Sequence, residues 1–270
     1  MIKAKNKQEA LPLIPSAKIS QEFSESIIKE IELFHRAVLR EIKQAFSGTA
    51  YAMDANVASD SRIRLNKLRM DWNSRFNELA KSSVGKMIEK VKKNSTVTIN
   101  MSLRTISKEF EIDTSFSDQR LQDVIIASTQ EAANLIKLIP EKYLAEVQGA
   151  VMRSITSGQG MKDLVPFLTK KYQGDIKWAR HVALDQTRKA YTSINRVRLN
   201  KAGVESFIWR HTGGSAHPRK DHIALSGKEF RYDDPPIIDN RSGEKGFPSQ
   251  LPFCRCLEIP VFSFLKSESK

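Results

Sequence analysis

Trp209-Arg-His-Thr-Gly-Gly begins the stretch that decides the fold, which continues through Arg219-Lys-Asp-His222 and ends at Pro252-Phe-Cys254-Arg-Cys256. It contains three of the five histidines, both cysteines and one of the three tryptophans of a 270-residue sequence. Glycine and proline, which favour turns, are frequent in it. The stretch therefore predicts a small compact domain of strands and loops, with Trp209 as its buried anchor.

Amphipathic helical patterns precede this stretch. Apolar residues recur at steps of three and four, which keeps them on one face of a helix. Residues 204–209, which follow the last of these patterns, have the composition of a strand. We expect helices over residues 20–47, from about 59 to 91, and over 117–139, 140–155, 161–172 and 175–201.

Two segments of the sequence lack the helical pattern. Residues 94–102 alternate and are rich in β-branched side chains, so we interpret them as a short strand or an extended linker. The first 19 residues lack periodicity and are expected to be an extended lead-in. The fold class is α+β, with a helical N-terminal region (1–110), a middle helical region (111–202) and a small C-terminal domain (203–270).

Charge is distributed unevenly along the chain. Lys and Arg number 44 against 31 Asp and Glu, a formal net charge of +13. The excess lies in residues 1–202, with 34 basic against 22 acidic residues, whereas the remainder has 10 against 9. Such an excess favours a polyanionic neighbour, above all nucleic acid. On the last predicted helix, the candidate DNA-contacting residues are Arg188, Lys189, Arg196 and Arg198.

A series of residues between Asp185 and Cys256 resembles the phage Mu F-type minor head protein, or phage head morphogenesis, family. The resemblance rests on the order and spacing of many positions together, and it covers about residues 120 to 262. The positions that carry it are Asp185, Gln186, Thr187, Asn195, Gly203, Trp209, Arg219, His222, Gly227, Pro235, Pro236, Cys254, Arg255 and Cys256.

The resemblance implies a minor capsid protein that acts in head morphogenesis, near the portal and the packaged DNA. The implied partners are the portal protein, other head proteins and double-stranded DNA bound without sequence preference. The expected location is the virion, assembled in the host cytoplasm. No membrane partner is expected, because the longest apolar runs are far shorter than the roughly 20 residues that span a bilayer. The family is structural, so we expect no catalytic residue.

Two alternatives draw on the same C-terminal residues. His217 and His222 could join Cys254 and Cys256 in a structural zinc site, although Cys-x-Cys is a less common zinc motif than Cys-x-x-Cys. The other interpretation is that both cysteines pack as small apolar residues, and on it we expect no metal and no cofactor.

A metal-dependent nuclease is the second alternative. Histidines and carboxylates in a basic protein can hold a metal that activates water against a phosphodiester. No known nuclease pattern accompanies the candidates here. They are His211, His217, His222, Asp221 and Asp239.

Overall fold

The computed structural model describes residues 5–47, 54–106, 118–213 and 218–265. Four long helices make up most of these residues, and short strands follow them, which confirms the α+β class. The helices are α1 (Ala17–Ser47), α2 (Asp54–Arg104), α3 (Gln119–Thr156), α4 (Met161–Lys201) and the short α5 (Lys220–Leu225). The strands are β1 (Lys5–Glu9), β2 (Ser206–Arg210), β3 (Glu229–Arg231), β4 (Ile237–Asp239), β5 (Glu244–Lys245) and β6 (Leu257–Leu265).

The main sheet is antiparallel and has the strand order β1-β6-β2-β3. Strand β6 is central and pairs on one side with β1, from Lys5↔Leu265 to Glu9↔Val261. On its other side it pairs with β2, where Trp209 faces Glu258. Strands β4 and β5 form a separate two-stranded hairpin.

The described residues form two compact units. The first contains the described residues 5–19, 88–106, 118–128, 184–213 and 218–265, and the second contains 20–47, 54–87 and 129–183. The three regions that the sequence suggested stay a prediction. Residues 184–201 of α4 belong to the same unit as the C-terminal sheet.

The core of the second unit is an aromatic cluster. Phe34 packs at a tilt against Trp72, with ring centroids 4.9 Å apart, and against Tyr143 at 5.0 Å. Phe76 meets Phe34 edge-on. All four side chains are buried.

The N-terminal segment is more ordered than its sequence predicted. Residues 5–9 form the edge strand β1, which gains its backbone partners from β6. Beyond β1, the Ala10 amide donates to the Pro260 carbonyl at 3.1 Å, and the Ser102 hydroxyl donates to the Leu11 carbonyl at 2.8 Å. The partners lie about 250 and 90 positions away, beyond the reach of any local pattern.

Residues 94–102 form the last turns of α2, so the predicted strand or linker is wrong. Ile99 is fully buried on the same helix face as Ser95, four residues earlier. The Thr98 hydroxyl bonds the Asn94 carbonyl one turn back, at 2.9 Å. Packing along this face outweighs the modest preference of threonine and valine for strands.

Two predicted helix breaks are also wrong. Helix α3 continues through Pro140, and α4 continues through Gly174. At the second place an ion pair spans the glycine: Lys171 Nζ lies 3.0 Å from Asp175 Oδ1, one turn further along. That contact helps the helix to persist at a residue with low helix propensity.

The helix starts differ in detail from those expected. Helix α1 begins at Ala17 instead of Ser20, and α2 begins at Asp54 instead of near residue 59. The carboxylate of Asp118 accepts a hydrogen bond from the Arg120 amide at 2.9 Å at the start of α3. Ser117, which we expected to cap this helix, lies outside the described residues. No helix in the described ranges is long and apolar enough to cross a membrane.

Candidate functional site

Within the first unit, the side chains of His222, Cys254 and Cys256 lie close together. His222 lies on α5, and the two cysteines lie in the extended segment just before β6. Alternation along this segment buries both thiols and leaves Arg255 exposed. The three buried side chains are 2%, 4% and 2% exposed, respectively.

The cluster is tight. The Nδ1 atom of His222 lies 3.4 Å from the Cys254 sulfur and 3.6 Å from the Cys256 sulfur. One ligand-type atom from each residue falls within 4.8 Å of the others. His211, half-buried just after β2, places its Nδ1 atom 3.6 Å from the Cys256 sulfur. Among the described residues, His222, Cys254 and Cys256 form the group that could hold a metal, and His211 lies beside it next to Cys256.

The two thiols differ in acidity. The pKa of Cys254 is lowered, because it accepts a hydrogen bond from Cys256 and because His222 also stabilises the thiolate. The pKa of Cys256 is raised by that same hydrogen bond and by burial, while Trp209 and Arg219 act in the opposite direction. The hydrogen bond between the two cysteines therefore shifts their pKa values in opposite directions.

Trp209 is the buried anchor that the sequence predicted. It is fully buried on β2 and meets His222 edge-on, with ring centroids 5.1 Å apart. Its carbonyl accepts a hydrogen bond from the Gly227 amide at 2.8 Å, and its own amide donates to the Lys228 carbonyl at 3.0 Å. Gly227 has a φ of +82°, which explains a glycine at this position.

Asp185 fixes the turn that leads to the cysteines. Its carboxylate is buried on α4 and accepts a hydrogen bond from the Phe253 amide. Phe253 has a φ of +59°, a left-handed conformation that costs about 1 to 2 kcal/mol in a non-glycine residue. The charged hydrogen bond offsets this cost, so Asp185 has a structural role in positioning the Cys254 segment.

A buried ion pair ties α4 to the central strand. Arg196 lies 3.1 Å from the carboxylate of Glu258, which is 2% exposed, and its guanidinium lies 3.7 Å from the Phe247 ring centre. The Tyr232 hydroxyl donates to the other oxygen of Glu258 at 3.4 Å. Burial raises the pKa of Glu258.

The four candidate DNA-contacting residues do not form the exposed face that we expected. Arg198 is 3% exposed, and Arg196 holds Glu258 as described above. Lys189 lies 3.3 Å from Asp185, with its side chain 18% exposed. Arg188 is half-buried, and burial, followed by the charge of Arg255, lowers its pKa. Lys189 and Arg196 pair with internal carboxylates, and Arg198 donates to the Lys92 carbonyl.

Most other positions of the resemblance are structural as well. The Arg219 guanidinium donates to the Pro252 carbonyl, and the Pro236 carbonyl accepts from the Gly246 amide. The Arg255 carbonyl accepts from the Thr212 hydroxyl. Gly203 has a φ of +80° after α4, and Pro235 is half-buried. The residues buried on α4 are Gln186, Thr187 and Asn195.

The two carboxylates among the nuclease candidates do not join His211 and His222 beside Cys256. Asp221 accepts hydrogen bonds from the backbone and side chain of Asn240, and Asp239 accepts one from the Arg241 amide. Among the described residues, neither carboxylate joins the group that could hold a metal. His217 lies outside the described residues.

Two residues of the site escaped the sequence reasoning in their actual roles. His211 was considered only for a nuclease, yet it lies beside Cys256. Glu258 was not considered. The available signal was the two-residue period of a strand. It puts His211 on the same face as Trp209, and Glu258 on the same face as Cys256.

Comparisons with known proteins agree with the motif. The family model described as "Phage Mu protein F like protein" matches residues 145–259. An uncharacterized protein of Haemophilus influenzae is 28% identical over 141 residues, which span 52% of this chain and 30% of that protein. The chain thus spans less than a third of that relative. No solved structure gives a significant match.

Proposed function

We propose, from the match of residues 145–259 to the phage Mu protein F like family model, that the chain is a minor capsid protein acting in phage head morphogenesis. The proposal includes a place in the virion and contact with other head proteins. The family match is the observation that carries it. The match includes most of the residues that build the Cys254 segment and its supports.

The geometry supports a structural role for these residues. Asp185, Trp209 and Arg219 each bond backbone groups of the segments that surround the cysteines. A scaffold of this kind fixes a surface that other proteins can recognise. We therefore propose that the family motif maintains a docking domain, with no catalysis.

The finer proposal is a position near the portal, close to packaged DNA. The formal charge of +13 supports proximity to a polyanion. Lys189, Arg196 and Arg198 make internal contacts and Arg188 is half-buried, so we propose that other, exposed basic residues make any DNA contact. Sequence-independent contact fits such a surface, since phosphates are the same everywhere along a duplex.

The experiment uses the phage or prophage that encodes the chain. Mass spectrometry of purified particles should detect the protein, and cross-linking within particles should join it to the portal protein. Particles made without the gene should show defective or fewer heads. A protein that is absent from particles, with normal heads in the deletion, would contradict the assignment.

A separate assay tests the nuclease alternative. Purified full-length protein incubated with duplex DNA and Mg²⁺ or Mn²⁺ should leave the DNA intact. Cleavage that is lost in His222→Ala would replace the structural role with an enzymatic one.

A further inference from the structure

The Cys254 region gathers donors of the kind that zinc prefers. Structural zinc sites are tetrahedral and use cysteine sulfur at about 2.3 Å and histidine nitrogen at about 2.0 to 2.1 Å. Those lengths place a nitrogen and a sulfur of the same site about 3.6 Å apart. The two distances from His222 Nδ1, 3.4 and 3.6 Å, agree with this separation.

His211 offers a fourth donor atom close to Cys256. His211 Nδ1 lies at the same 3.6 Å from the Cys256 sulfur, on the residue that follows β2. The four residues come from three separate segments: the end of β2, α5 and the approach to β6. A metal bound to all of them would cross-link these segments.

We propose that His222, Cys254, Cys256 and His211 bind one structural Zn²⁺ ion. Two thiolates and two neutral imidazoles balance the charge of the ion, so the loaded site is neutral and suits its burial. Any thiol that is protonated before binding releases its proton to solvent. Two sulfur and two nitrogen donors in tetrahedral geometry favour zinc over magnesium or calcium.

A metal ion at this site would stabilise a part of the fold that has little regular structure. Strands β3, β4 and β5 have only three, three and two residues, so backbone pairing alone gives this part few constraints. Small domains with little regular structure commonly rely on a metal or disulfide cross-link. A disulfide between Cys254 and Cys256 would span a single residue and would not join separate segments, and both cysteines are free thiols.

The first test is the metal content of the full-length wild-type chain, purified under reducing conditions from zinc-supplemented cells and dialysed. Elemental analysis should give about one zinc per chain. Replacement by Co²⁺ should produce thiolate charge-transfer absorption and the visible bands of tetrahedral cobalt. A folded chain that holds less than about a tenth of an equivalent, and takes up no Co²⁺, would overturn the proposal.

Variants then test three of the four proposed ligands. Cys254→Ser and Cys256→Ser should lose the stoichiometric zinc, and His211→Ala should bind Zn²⁺ at least about tenfold more weakly in a chelator competition. His181→Ala is the matched control, because that histidine is exposed on α4, in the other compact unit.

The half-buried His211 can be replaced with less risk to folding than either cysteine. Unchanged Zn²⁺ affinity in His211→Ala would therefore remove this residue from the site even if the cysteine variants fail to fold. The inference is independent of the role in head assembly, since metal content is measured on the isolated chain.

Discussion

At the scale of the residue, His35 makes the stability of the second unit depend on pH. It is 8% exposed, its Nδ1 atom lies 2.6 Å from the Tyr143 hydroxyl, and its ring stacks on Tyr172 at 4.5 Å. Burial disfavours the charged imidazolium and lowers the pKa of His35 below its ordinary value of 6.5. The unfolded chain therefore binds a proton at higher pH than the folded chain does. Stability is present above about 6.5 and is lost as the pH falls below it.

The first prediction follows from the lowered pKa of His35. The free energy of unfolding should decrease between pH 7.5 and 5.5, and the decrease should be smaller in His35→Gln, which keeps a polar group near Tyr143 without a titrating ring. Urea unfolding at the two pH values measures the difference. The exposed His181→Gln should retain the wild-type decrease. An equal decrease in all three proteins would show that His35 does not titrate with unfolding.

At the scale of the element, Arg198 holds the end of α2 in its helical form. Its Nη1 atom donates to the Lys92 carbonyl at 2.9 Å, the Ser95 hydroxyl at 2.7 Å and the Thr96 hydroxyl at 3.1 Å. These bonds join α4 to the stretch that its sequence predicted to be a strand or linker. A buried guanidinium with three acceptors favours one arrangement of the two helices over any other.

The second prediction concerns this contact. Arg198→Met should lower the free energy of unfolding by about 2 to 4 kcal/mol, because charged hydrogen bonds are lost and buried acceptors remain. Arg180→Met, at an exposed position of the same helix, should change it by less than about 0.5 kcal/mol. Thermal or urea unfolding measures both variants. Equal effects of the two variants would mean that the contacts of Arg198 add no more stability than an exposed arginine does.

The elements also show which features a sequence can reveal. The periods of 3.6 and 2 predicted α1, the buried face of α4, β2, and the inward thiols of Cys254 and Cys256. They failed where a distant partner decides the outcome, as for residues 94–102 beside Arg198 and for β1 beside β6. The charge pattern was also ambiguous, because arginines on α4 that face DNA and arginines that pair with a buried carboxylate such as Glu258 look the same in the sequence.

At the scale of the whole molecule, the net charge of +13 must be considered apart from the buried arginines. Exposed basic residues remain on α4 before residue 184. Lys170, Lys177 and Arg180 lie at intervals of seven and three, which places them on one helix face. We infer that exposed groups such as these provide the DNA contact that the proposed function requires.

The last prediction tests that inference by charge reversal. Wild-type protein should bind duplex DNA without sequence preference, and its affinity should fall steeply with salt, because each neutralised phosphate releases counterions. The triple change Lys170→Glu, Lys177→Glu and Arg180→Glu should weaken binding and reduce the slope of log affinity against log salt by up to about 0.9 per lost contact. The control reverses the exposed Lys228, Arg241 and Lys245, which alters the net charge equally in the nearly neutral C-terminal part. If both triple variants lose the same affinity, overall charge and not this helix face attracts DNA. If wild-type binding does not respond to salt, the basic surface faces a protein partner instead.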